Sequence, residues 1–197
     1  MREPPVKIKA MTEKLIGFKC GEMEKDFLET WDLQRRKLYL LSDKISKPLS
    51  VDNSVWENAI EVENPNIYGL WKDLSLLNRK TEKINFDLWR AAVTILLSDQ
   101  NQSREPLIES IVTNPENMQN LSTDFLGYDV ADDALTSGLM NCGYTEPDEK
   151  MDWASQINEY HLFSSRDAAI KFKTYSDKRI PEHAPFRVFG IYKLNNW

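Results

Sequence analysis

Apolar positions along this chain recur mostly at helical spacings. Over residues 22–42, Leu28, Trp31, Leu38 and Leu41 fall three and seven apart with charges between them, which predicts an amphipathic helix. Lys47-Pro48 and Asp52-Asn53-Ser54 mark residues 43–58 as connection. Residues 68–77 predict a second helix that turns Leu70, Trp71, Leu74 and Leu77 inward. The clearest helical pattern covers residues 85–98, with Asn85 as N-cap and Phe86, Trp89, Val93, Leu96 and Leu97 as its stripe. Pro106 fits the first turn of a further helix that buries Leu107, Ile108, Ile111 and Val112 and stops before Pro115.

The later third continues in the same style. Asp129 is placed to cap a helix with Ala131, Leu135, Leu139 and Cys142 on its inner face and Gly143 as its C-terminal residue. Another helix is predicted over residues 150–160. Ser164, with Asp167 three positions on, makes a capping-box-like start for a last helix through Phe172 to Ser176. Residues 181–185, bounded by two prolines, form a rigid loop. The aromatic and β-branched run 186–194 is the best strand, and residues 6–10 alternate at period two as a short one. The expectation is an α+β fold: a predominantly helical single domain spanning residues 1–197, with a few strands near the N- and C-termini that pair with each other.

Composition makes this a chain that can build a core: 41% of its 197 residues are hydrophobic, and it holds six Trp, seven Tyr and eight Phe. Two cysteines, Cys20 and Cys142, suit a reducing compartment better than a disulfide framework. The opening Met1-Arg-Glu-Pro-Pro5 lacks the apolar stretch of a signal peptide, and runs such as Ile95-Leu96-Leu97 are far short of a membrane span. A cytoplasmic protein is expected. Charge is the most unusual feature. Thirteen acidic residues fall between Asp99 and Glu159 against Arg104 and Lys150 alone, an excess of eleven negative charges in a chain whose net charge is −6. The remainder is therefore net positive by five. Such segregation repels nucleic acid and anionic lipid and attracts a basic partner.

Candidate chemistry is sparse. Asp129, Asp132 and Asp133 group carboxylates that suit a hard cation, yet an N-cap and a helix first turn favour acids anyway. Glu182 and His183 are adjacent, but neighbours on extended chain point apart, so adjacency is not a dyad. His161 closes a predicted helix, where a positive pole is favoured. Cys142 is placed on an inner helix face and Cys20 has no activating neighbour. Gly17, Gly21 and Gly69 make no phosphate-cradling pattern, and residues 1–50 carry a basic excess of only three. No catalytic residue, metal or cofactor is expected.

Three stretches carry a family resemblance: Leu126-Gly-Tyr-Asp-Val-Ala-Asp-Asp-Ala-Leu-Thr-Ser-Gly-Leu139, Asn158-Glu-Tyr-His-Leu-Phe163 and Pro181-Glu-His-Ala-Pro-Phe-Arg-Val-Phe-Gly-Ile-Tyr192. Over residues 121–194 the chain resembles immunity proteins of bacterial contact-dependent growth-inhibition and related polymorphic toxin systems. The resemblance implies a small, cytoplasmic, acidic, non-catalytic protein that binds a basic toxin domain, commonly a nuclease. Tyr128, Asp129, Asp132, Asp133, Tyr144, Glu146, Asp148 and Glu149 are the expected partner contacts, with the acids steering encounter and aromatic anchors setting dissociation. A metal-assisted hydrolase using Asp129, Asp133 and His183 is the alternative; a subunit of a larger complex is a third.

Overall fold

The computed structural model describes residues 11–22, 70–71, 73–81, 88–98, 118–132, 135–139, 153, 155–158, 160 and 162–195. The expected elements at residues 6–10, 22–42 and 106–114 lie outside them. Within them the chain is built on four antiparallel strands: β1 (Met11–Glu22), β2 (Leu88–Ser98), β3 (Thr123–Ala131) and β4 (Arg187–Leu194). They lie in the order β1-β2-β4-β3. Helix α1 (Leu74–Thr81) and helix α2 (Arg166–Arg179) accompany the sheet, with short 3-10 turns at Met118–Asn120 and Pro181–His183.

The predominantly helical expectation is therefore overturned: the described chain is mostly antiparallel sheet. The largest correction is at residues 85–98, read as the clearest helix. Ala91 through Leu97 are all buried, because β2 is a central strand covered on both faces. A strand of that kind reads as a continuous apolar run, and periodicity alone does not separate it from a buried helix. Residues 123–131 were likewise expected to lead into an Asp129-capped helix and instead form β3. Their alternation is hidden by a bulge between Phe125 and Gly127, which shifts the phase of the pattern mid-strand. Of the expected 150–160 helix, Trp153 is helical, Ser155 and Gln156 form a turn, and Ile157 bridges to Phe163. The C-terminal strand is where the sequence places it, but its neighbours are β2 and β3, and β1 pairs with β2.

Both helices form with their starts shifted. Asp73 precedes α1 and accepts hydrogen bonds from the backbone N–H groups of Ser75 at 2.7 Å and Leu76 at 3.1 Å. The Ser75 hydroxyl also donates to it, and these bonds hold its carboxyl below the ordinary range. Ser165, one residue after the expected cap, accepts from the Ala168 N–H at 3.2 Å to start α2.

Register divides the sheet into two faces, since directly paired residues point to the same side. One face carries Ala91, Val93, Ile95, Leu97, Phe189 and Ile191, all buried. On the other, α1 packs Leu77 against Phe18, Cys20, Ala92 and Leu194 at one end. Helix α2 packs Ala168, Ala169 and Phe172 against Leu96, Val130 and Val188 at the other. Between the two helices this face presents Glu13, Thr94, Gly190, Phe125, Tyr128 and Tyr192. Among the described residues, no helix is long and apolar enough to cross a membrane.

At each edge strand another segment comes close enough to bond, which hinders pairing with another chain at those points. Phe18 and Trp71 exchange backbone hydrogen bonds of 2.8 and 2.7 Å at the β1 edge, and Tyr128 and Phe163 exchange bonds of 2.9 and 2.8 Å at the β3 edge. Both edges carry a glycine at a bulge: Gly17 with φ 152° and Gly127 with φ 145°. A Cβ on Gly127 would stand 2.7 Å from the Leu162 Cβ and 3.0 Å from the Phe163 carbonyl oxygen. Gly127→Ala is expected to cost about 2–4 kcal/mol of unfolding free energy by combining backbone strain with this clash. Urea denaturation with an unchanged m-value is the check.

Candidate functional site

The candidate site lies on the sheet face between the two helices. Glu13 stands on β1, and its carboxylate is reached from three other strands or their side chains. The Tyr128 hydroxyl of β3 donates to Oε1 at 2.8 Å, and the Tyr192 hydroxyl of β4 donates to Oε2 at 2.5 Å. The Thr94 hydroxyl of β2 is 3.1 Å from Oε2 and 3.4 Å from the Gly190 carbonyl oxygen, so its one proton serves either acceptor. Gly190 makes room for this convergence. A Cβ there would lie 2.4 Å from Thr94 Oγ1 and 3.1 Å from Glu13 Oε2.

Phe125 covers the tyrosines from the solvent side and is 44% exposed. Its ring centroid is 4.8 Å from that of Tyr128 and 5.0 Å from that of Tyr192, with tilted planes as aromatic quadrupoles prefer. Burial, then the hydrogen bond and charge of Glu13, push the Tyr128 hydroxyl up to about 12, while Arg166 acts in the opposite sense. The same causes, with Tyr128 added, raise Tyr192. The result is an acidic group ringed by neutral hydroxyls and aromatic surface, partly open to solvent.

Of the expected contacts, Tyr128 belongs to this site. Asp129 and Asp132 do not, and they are corrected here: they are only 1% and 5% exposed. Asp129 faces Phe189 across the ladder and accepts from the Val130 N–H at 2.8 Å and the Ser137 hydroxyl at 2.9 Å. Asp132 organises the turn after β3. Its Oδ1 accepts from the Thr136 N–H at 3.0 Å, and Oδ2 is 3.3 Å from His183 Nδ1. The turn is tight enough to hold Leu135 at φ 60°. Both carboxylates are spent on the chain's own loops. Asp133, Tyr144, Glu146, Asp148 and Glu149 lie outside the described residues.

Of the expected hydrolase trio, Asp133 lies outside the described residues, and Asp129 and His183 turn to different partners. Asp129 turns to Ser137 while His183 turns to Asp132, and no group of three or more His, Cys, Asp or Glu side chains converges among the described residues. Cys20 is buried, and desolvation pushes its thiol up to about 12, against the pull of Arg90 and Lys19. Sequence reasoning missed Glu13, Thr94, Phe125 and Tyr192. One signal was present: Gly190 in the middle of an aromatic and β-branched strand, which marks a close approach. The approaching groups come from residues 13 and 94, which no local pattern connects to it.

Two titrations check this geometry. The Tyr128 hydroxyl is raised from 10 to about 12, so its contribution is complete below pH 10 and is lost as pH rises through 12. Tyr128→Phe should flatten the loss of stability above pH 10 and cost about 0.5–1.5 kcal/mol at pH 8, by urea denaturation. Lys19, buried beside Cys20, is lowered by desolvation from 10.5 to about 7. Between those values the unfolded chain holds the extra proton, so stability rises with pH across that window. Lys19→Met should remove that rise and stabilise the protein at pH 7 by about 2–4 kcal/mol.

No protein-family model matches this chain, and neither a curated protein nor a solved structure matches it, so the site's chemistry is read from its own residues.

Proposed function

We propose that this chain is a non-catalytic, cytoplasmic binding protein of the immunity type, which neutralises a basic toxin domain, commonly a nuclease, by docking on it. The observation that carries the binding reading is the exposed Phe125 ring packed at a tilt against Tyr128 and Tyr192, whose hydroxyls meet at Glu13. Partly exposed aromatic surface beside fixed polar groups is the composition of an interface anchor. The acidic excess between Asp99 and Glu159 and the resemblance over residues 121–194 support the choice of a basic partner. Long-range attraction accelerates encounter, and contacts that exclude water slow dissociation.

Burial of Asp129 and Asp132 changes which acids carry this role. A lysine at either position would disrupt a loop rather than report on binding. The steering assignment falls to the remaining expected contacts, Asp133, Glu146, Asp148 and Glu149.

The partner to test is the C-terminal domain of the protein encoded immediately upstream. Its expression alone should arrest growth, and co-expression of this chain should restore it. The purified pair should bind with Kd on the order of nanomolar at low salt. Glu146→Lys with Glu149→Lys should weaken binding about tenfold at low salt and less as salt rises. An upstream product that is harmless, or toxicity that this chain does not relieve, overturns the reading.

A further inference from the structure

We infer that Glu13, with the rings of Phe125, Tyr128 and Tyr192, is a receptor for one arginine side chain of the basic partner; this rests on the partner-binding reading and supplies the chemistry of its anchoring contact. The argument comes from counting protons. A carboxylate only accepts, so the hydroxyl protons of Tyr128 and Tyr192 must point at Glu13 Oε1 and Oε2. Each tyrosine has one such proton, and donating it leaves the oxygen able only to accept. Oε1 of Glu13, with one bond made, retains acceptor capacity. The cluster thus offers Glu13 Oε1, Tyr128 Oη and Tyr192 Oη as outward acceptors around a negative charge.

A site with acceptors and net negative charge selects a group that only donates and is positive. Among protein side chains these are the ammonium of lysine, the guanidinium of arginine and the imidazolium of a protonated histidine, of which only the first two keep their charge at neutral pH. The rest of the site favours arginine. Its five donors lie in one plane and can serve several acceptors at once, and its flat face stacks on an aromatic ring where a hydrated ammonium does not. The ring that remains most open is Phe125, and it borders both tyrosines. Arg166 flanks the site through its effect on Tyr128 but makes no ion pair with Glu13 among the described residues.

The geometry also explains why the site is kept in the sheet. Gly190 carries no side chain, so Glu13, Thr94 and Tyr192 meet directly above its backbone. Three strands hold the acceptors at fixed separations, and little side-chain entropy remains to be lost when a cation arrives.

The first test needs no partner. The full chain, with ring-labelled tyrosine, is titrated with N-acetyl-arginine methylamide and followed by NMR. Tyr128 and Tyr192 resonances, assigned by Tyr→Phe variants, should shift saturably with Kd on the order of millimolar. The neutral isostere N-acetyl-citrulline methylamide should bind at least about tenfold more weakly, as should the arginine compound to Glu13→Gln. Equal shifts from both compounds, no shift with the arginine compound up to about 100 mM, or the same shifts from magnesium ion alone overturn the receptor. The second test uses the toxin-domain complex. Glu13→Gln and the exposed-site variant Phe125→Leu, each with native melting behaviour, should weaken it about 10–100-fold. Unchanged affinity overturns the receptor while leaving the partner reading intact. Arginine binding by the free chain with no upstream partner sinks the partner reading and leaves the receptor standing.

Discussion

The feature on which the described architecture turns is the meeting of four strands at one carboxylate. Glu13 on β1 accepts from hydroxyls on β3 and β4 and lies beside that of Thr94 on β2. Such a contact is possible in one register only. A one-residue slip of any strand would send its side chain to the opposite face and leave Glu13 against aromatic surface without its donors. The central glycine of β4 is part of the same constraint, because any side chain there would collide with Thr94 Oγ1. Packing on the other face fixes the same register with Val93, Ile95, Phe189 and Ile191. The polar network and the apolar core therefore enforce one alignment.

The sheet's edges follow a second economy of space. Gly17 and Gly127 each sit at a bulge with positive φ, and each lets another segment approach the edge closely enough to bond. Trp71 closes the β1 edge and Phe163 the β3 edge. These bonds occupy edge N–H and C=O groups that strand addition would otherwise use. Asp132 and His183 do similar work for the loops, linking the turn after β3 to the turn before β4. Asp129 and Asp132, which look like surface charge in the sequence, are thus taken up in loop construction.

Buried carboxylates such as Asp129 are committed to their own chain's donors and contribute nothing to a docking contact. Exposed ones act at long range and are softened by a screening length of about 8 Å at physiological salt. The Glu13 site belongs to neither group. It is a charge fixed in place by hydroxyls and roofed by rings, an arrangement suited to holding a ligand after encounter.

What the sequence by itself determined here is local: the strand at residues 186–194, a helix expected at residues 68–77 that forms as Leu74–Thr81, one expected at residues 164–176 that forms as Arg166–Arg179, and a strong acidic bias between Asp99 and Glu159. Each is set by neighbouring residues through propensity, capping or simple charge, so a linear reading reaches it. The tertiary structure decided the fold class and the site. Residues 88–98 are a strand because partners at residues 11–22 and 187–194 satisfy their backbone on either side, and no pattern within the segment announces those partners. The inward turn of Asp129 and Asp132 depends on Ser137, Thr136 and His183 in the same way. Glu13, Thr94, Tyr128 and Tyr192 are scattered along the chain, and only pairing across the sheet gives them a common face. Hydrogen bonds between distant strands carry that information, and spacing along one strand cannot.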